Sequence, residues 1–233
     1  MQPAEKLDDC LAEHGLFVRG VTRLSAAEIE HYGIDLANTE LTLVGNIGSS
    51  YWPQFSQSAE FADGASHPLD RWSRRVAEDI AQRLSVQAVY PFDGPPYFPF
   101  QQWAKRAEGL EQSPIGVMMH PEFGLWHSYR FALLGAGMGG KEAAGSNLSA
   151  DHAPVTSPCL NCASKPCLNT CPVAAFDASG YAVERCADYL QQTPQADCLQ
   201  QGCLARNACP VAPQLRYVAD QGRFHLSAFL QAH

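Results

Sequence analysis

The chain has 233 residues, 46% of them apolar and 17% charged, which is enough for one ordinary domain plus a small second one and excludes wholesale disorder. Its formal net charge is −8, from 16 Lys and Arg against 24 Asp and Glu, and the basic residues form no concentrated stripe, so nucleic acid is not an expected partner. The opening MQPAEKLDDCLAEHG has no basic flank before an apolar run, and no stretch approaches the roughly 18 to 20 apolar residues of a membrane span, so the chain reads as soluble and cytoplasmic, with no membrane partner.

In chain order, Pro3 to Glu13 has helical composition and ends at Gly15. Ser25-Ala-Ala-Glu28 fits a capping box, which predicts a short helix to about Tyr32, stopped by Gly33. ELTLVGNIG, Glu40 to Gly48, is apolar and rich in β formers, a buried strand. The clearest helix spans about Pro68 to Leu84. Leu69, Trp72, Val76, Ile80 and Leu84 recur there at spacings of three and four, with Arg71, Arg74, Arg75 and Asp79 on the outer face. QAVYPF, Gln87 to Phe92, reads as a strand before the turn-rich, aromatic DGPPYFPF. IGVMM and WHSYRFALL then read as two strands with HPEFG as the turn between them.

The residues after Leu134 are rich in Gly, Ala and Ser and lack apolar periodicity. They predict a division into a helix-and-strand (α+β) front domain over residues 1–140, a connector over 141–157 and a cysteine module over 158–233. Gly135-x-Gly137-x-x-Gly140 fits a dinucleotide fingerprint, but no convincing helix follows it, and it reads as part of the connector.

Of nine cysteines, eight fall between Cys159 and Cys209, and only Cys10 stands apart, in a helical stretch where it reads as a small apolar residue. A secreted disulfide scaffold would spread its cysteines through a short chain; crowding into one segment points to metal. Cys159-x2-Cys162-x4-Cys167-x3-Cys171-Pro172 lets one tight loop offer several thiolates, the soft ligands that sulfide-bridged iron prefers. Zinc ribbons instead separate their cysteine pairs by about 15 to 20 residues. A second, wider-spaced set follows: Cys186, Cys198, Cys203 and Cys209, again closed by a proline, Pro210.

These motifs resemble known families. The four-residue middle gap, with Pro166 just before the third cysteine, resembles the ferredoxin-like subunits of large molybdenum oxidoreductases. Two Cys-Pro endings resemble the two-cluster ferredoxin fold, in which the fourth cysteine of each motif ligates the other cluster. That resemblance implies one [4Fe–4S] cluster on Cys159, Cys162, Cys167 and Cys209, and another on Cys186, Cys198, Cys203 and Cys171. Gly116 to Trp126, GVMMHPEFGLW, resembles the His-Pro-x-Phe-Gly-x-Trp stretch of CblC-type cobalamin-processing proteins. A related stretch occurs in epoxyqueuosine reductases and reductive dehalogenases, which join a nitroreductase-like cobalamin-binding domain to a two-cluster ferredoxin-like module in the order seen here. GLFVRGVTRLS and HPLDRWSRRVAEDIAQRL resemble further segments of these families.

The resemblance implies a cobalamin site using His120, Pro121, Phe123, Gly124 and Trp126, with Tyr97, Phe98 and Trp103 as further flat apolar surface. It assigns no catalytic residue. The activity it implies is an oxidoreductase in which an external donor of ferredoxin or flavodoxin type sends electrons through the two clusters to cobalamin, for decyanation, dealkylation or reduction. The alternatives are a ferredoxin-like electron carrier whose front domain docks a partner, a cobalamin-dependent reductase of a small organic substrate, and a protein with flavin in place of cobalamin.

Overall fold

A computed structural model describes residues 3–35, 39–135, 157–177 and 180–233. The strands in chain order are β1 (Phe17–Arg23), β2 (Glu40–Ile47), β3 (Gln87–Val89), β4 (Glu111–Gln112), β5 (Met118–Met119), β6 (His127–Leu134), β7 (Phe176–Asp177) and β8 (Gly180–Tyr181). The helices are α1 (Pro3–Ala12), α2 (Ala26–Tyr32), α3 (Trp52–Phe55), α4 (Ala59–Ala62), α5 (Pro68–Leu84), α6 (Phe100–Glu108), α7 (Pro166–Asn169), α8 (Val183–Gln192), α9 (Asp197–Gln201), α10 (Leu204–Asn207) and α11 (Ala219–Gln231). This is a mixed α+β protein. The chain divides into two compact units, one with the described residues up to 109 and from 128 to 135, the other with 110–127 and the described residues from 157 onward. Among the described residues no helix is long and apolar enough to cross a membrane.

The first unit is built on a four-stranded sheet of order β1-β2-β6-β3, with β1–β2 and β3–β6 antiparallel. A register shift between Val18 and Gly20 makes Arg19 a bulge residue, and bulges re-aim side chains. Its guanidinium donates to the Asn46 carbonyl (3.0 Å) and to Glu108 Oε2 (2.9 Å), while the Tyr129 hydroxyl donates to Glu108 Oε1 (2.6 Å). Burial outweighs these partners and raises the Glu108 carboxyl above its ordinary range.

Local chemistry explains the helices. Ser25 and Glu28 form the expected capping box on α2, and Gly33 ends it in the left-handed region (φ 62°). Pro68 sits in the first turn of α5, and Leu69, Trp72, Val76 and Ile80 are buried along one face, which packs α5 on α1 and β3. Two expectations change. QAVYPF gives a strand only as far as Val89, because Pro91 lacks the N–H that would extend the ladder. The aromatic run after it leads into α6, which the sequence did not announce; α6 packs on β1 and buries Trp103 completely.

In the second unit IGVMM is not one strand. Gly116 has a positive φ (80°), and residues 113–117 form a turn closed by Ser113 N–H to the Val117 carbonyl (2.8 Å). Only Met118–Met119 is extended, and it pairs with β4 rather than with β6. The segment is apolar because Ile115 and Met119 enter a core shared with Cys167, Ala205 and Cys209. A second apolar cluster joins Leu190, Ala196 and Cys198 to Leu226, Phe229 and Leu230 of α11. There Gly222 of α11 lies against Gly202; a Cβ on Gly222 would stand 3.0 Å from the Gly202 Cα. The expected connector, 141–157, lies outside the described residues apart from Ser157, as do Gly137 and Gly140 of the dinucleotide-like pattern.

Candidate metal centre

The two Cys-Pro endings are local copies of one structure. Cys171-Pro172-Val173-Ala174 and Cys209-Pro210-Val211-Ala212 share the sequence CPVA, and in both the alanine is left-handed (φ 47° and 49°). In the first the Ala175 N–H donates to Cys171 Sγ (3.3 Å), and in the second the backbone N–H of Val211 lowers the Cys209 thiol against the effect of burial. Lys165 is left-handed as well (φ 39°), and Pro166 starts α7, which presents Cys167 one residue inside the helix.

Four of the eight thiols come together at one cavity. Cys159, Cys162, Cys167 and Cys209 line one cavity of about 330 Å³, whose wall includes Met119, Leu125 and Val211. The last cysteine of the second motif is thus gathered with the first three of the first. Of the other four, Cys198 is buried in the apolar cluster of α11 with Cys186 packed against it, whereas Cys171 and Cys203 pack against the cluster that holds Cys167 and Cys209. All nine thiols of the chain are free, and Cys10 is half-buried.

Burial pushes the thiols of Cys159, Cys167, Cys186, Cys198, Cys203 and Cys209 above their ordinary value, and neighbouring cysteines add to the effect. Several thiolates packed this closely are stable only around a cationic core. Backbone N–H groups meet the sulfurs: Leu204 serves Cys198, Ala205 and Arg206 serve Cys203, and Leu168 serves Cys167. An all-thiolate set, an apolar wall and N–H donors to sulfur fit an iron–sulfur group. Among the described residues, no three His, Cys, Asp or Glu side chains close around one point tightly enough for a single ion.

The residues of the cobalamin-type motif lie in this same unit. The His120 and Gly124 backbones bond to each other in both directions (2.9 Å each) and close a tight loop. His120 Nδ1 accepts the N–H groups of Glu122 (3.0 Å) and Phe123 (3.1 Å), and its ring stacks on Phe123 at 4.1 Å. Nδ1 therefore carries a lone pair, which leaves the ring proton of the neutral form on Nε2. Pro121 is exposed and Phe123 half-buried. Gly124 has φ 59° and faces Val211, whose carbonyl oxygen would lie 2.6 Å from an added Cβ. Trp126 is fully buried, donates its indole N–H to that carbonyl (3.2 Å) and packs on Tyr217 and Arg206.

Arg206 is the residue that the sequence did not single out. It lies over the rings of Tyr217 (4.3 Å) and Trp126 (5.2 Å) and donates to the Leu125 carbonyl from both Nε and a terminal nitrogen. Its place between Cys203 and Cys209 was the only signal in the sequence. The further aromatics belong to the first unit. Trp103 is core, with its indole N–H on Glu28 (2.8 Å); Phe98 packs on Tyr32 and Trp103; Tyr97 is 60% exposed.

No family model and no curated protein matches the chain. Among solved structures, a selenomethionine-labelled epoxyqueuosine reductase aligns with a TM-score of 0.54 at 12% identity, over 94% of this chain and 68% of that one. The likeness is one of fold. An epoxyqueuosine reductase with a tRNA-Tyr stem loop aligns at 0.45 and 12% identity (94% and 69% covered). The C. elegans B12-trafficking protein CblC aligns at 0.48 and 13% identity (98% and 96% covered).

Proposed function

We propose that the chain is a corrinoid-binding iron–sulfur protein that passes electrons from two [4Fe–4S] clusters to cobalamin. The observation that carries this reading is the cavity that gathers Cys159, Cys162 and Cys167 of the first motif with Cys209, the last cysteine of the second. One cluster is assigned to Cys159, Cys162, Cys167 and Cys209, the other to Cys171, Cys186, Cys198 and Cys203, in a ferredoxin-like module. The fold shared with an epoxyqueuosine reductase supports the same reading, and we assign a nitroreductase-like front domain to residues 1–140 apart from 110–127, which fall in the cysteine unit.

When bound, the clusters supply one-electron reduction. The residues of this chain hold them with thiolate, donate backbone N–H groups to sulfur, and surround the first set with the apolar side chains of Met119, Leu125 and Val211. For cobalamin we assign His120, Pro121, Phe123, Gly124 and Trp126. Pro121 is exposed and Phe123 half-buried, His120 braces the loop through its ring nitrogen, and Gly124 and Trp126 hold the loop's shape. A ferredoxin- or flavodoxin-type protein is the proposed donor and cytoplasm the proposed setting.

Anaerobic reconstitution followed by iron and sulfide analysis and a cobalamin titration tests this. The reading expects about eight iron per chain and a shift of the corrinoid visible band on mixing. Clusters without a corrinoid response would leave an electron carrier. A flavin spectrum in the protein as isolated would replace cobalamin with flavin.

A further inference from the structure

Arg206 is a half-buried cation held only by neutral groups. Its guanidinium lies over the rings of Tyr217 (4.3 Å) and Trp126 (5.2 Å), and its Nε donates to the Leu125 carbonyl (3.1 Å). Among the described residues no Asp or Glu pairs with it, whereas the buried Arg19 has the Glu108 carboxylate. A cation drawn partly out of water without a counter-charge bears a desolvation cost that a nearby anion offsets. The same contacts place Arg206 beside the wall of the cysteine cavity. Leu125 and Cys209 both line that cavity. Arg206 donates to the carbonyl of the first, and its own carbonyl accepts the backbone N–H of the second (3.1 Å).

We propose that Arg206 is the fixed counter-charge of the centre held by Cys159, Cys162, Cys167 and Cys209, and that it raises the reduction potential of that centre. The inference rests on reading those four cysteines as a cluster site. Four thiolates around a [4Fe–4S] core make a net anionic centre, and one further electron makes it more negative. A cation fixed beside it, behind an apolar wall, favours the more negative state. The effect is Coulombic: no bond forms or breaks, and no proton moves. The rings of Trp126 and Tyr217 hold the guanidinium in place without neutralising it, as a carboxylate would.

The test is a dithionite titration of reconstituted protein followed by electron paramagnetic resonance, comparing wild type, Arg206→Gln and Arg206→Lys. The centre to watch is the one that Cys159→Ser removes. In Arg206→Gln it should become harder to reduce by about tenfold, which is about 59 mV for a one-electron couple, with the iron content unchanged. Arg206→Lys should keep a potential near that of wild type even though it packs less well, because the charge remains while the planar face is lost. Full iron in Arg206→Gln with that potential unmoved would overturn the proposal, and so would an equal fall in Arg206→Lys. Should Arg206→Gln fail to assemble the centre, citrulline at position 206 keeps the planar face and the Nε donor and removes only the charge. It should lower the same potential, and no fall would overturn the assignment. Wild-type protein that takes up no iron would instead defeat the cluster reading on which the proposal stands.

Discussion

The indole N–H of Trp126 donates to the carbonyl of Val211, two residues beyond Cys209. One hydrogen bond thus ties the His120–Trp126 loop to the Cys-Pro turn of the first cysteine set. Gly124 allows the approach, since a side chain there would meet the same carbonyl. Gly124→Ala should destabilise the protein by about 1–3 kcal/mol, the usual cost of holding a non-glycine residue in a sparsely populated backbone region. Iron at the Cys159 set should fall with it. Denaturant unfolding together with iron analysis checks both, and an unaffected variant would mean that the loop is not anchored there.

Arg206 makes a second tie from α10. Arg206→Ala removes a cation over two rings and donors to the Leu125 carbonyl. A loss of about 1–3 kcal/mol is expected. Arg206→Lys should recover only part of it, because an ammonium has no planar face to lay on Tyr217. Urea midpoints of the three proteins measure the order.

The proposed exchange of cysteines between the motifs gives a sharper result. Cys171→Ser should remove the same centre as Cys186→Ser, although Cys171 belongs in sequence to the first motif. Cys209→Ser should remove the same centre as Cys159→Ser. Resonance spectra of the four variants decide it. Spectra that pair Cys171→Ser with Cys159→Ser would show that each motif keeps its own cluster.

At Glu28, burial alone would raise the carboxyl, but the hydrogen bonds from Ser25, Trp103 and Arg106 together hold it below its ordinary 4.5. A carboxyl depressed in the folded state adds stability that is present above the unfolded value and lost as pH falls through the folded one. Wild type should therefore exceed Glu28→Gln in stability at neutral pH by about 1 kcal/mol, the scale of a lost cap. That difference should close as the pH drops below 4.5. Thermal unfolding of both proteins across that range gives the sign directly.

Much of this was legible where the signal was local. Helix α5 falls at the bounds that its apolar spacing implied, and the Ser25–Glu28 box starts α2 as expected, because both depend on neighbouring residues. The first cysteine loop was legible for the same reason. The rest depends on distant partners. Ile115 and Met119 look like strand residues, but their apolarity serves the cysteine core. For that reason residues 110–127 join the unit of the cysteines rather than that of the preceding helices. Trp103 and α6 were hidden by the prolines before them, and the repeated CPVA turn shows its equivalence only through the paired left-handed alanines.

The proposed transfer of electrons from the clusters to cobalt has a direct test. Reconstituted protein should be reduced anaerobically, freed of excess reductant and mixed with cob(II)alamin while visible spectra are recorded. Cluster absorbance should return as cob(I)alamin forms, with about one cobalt reduced per electron lost and up to about two per chain. Clusters that stay reduced beside unchanged cob(II)alamin would contradict it.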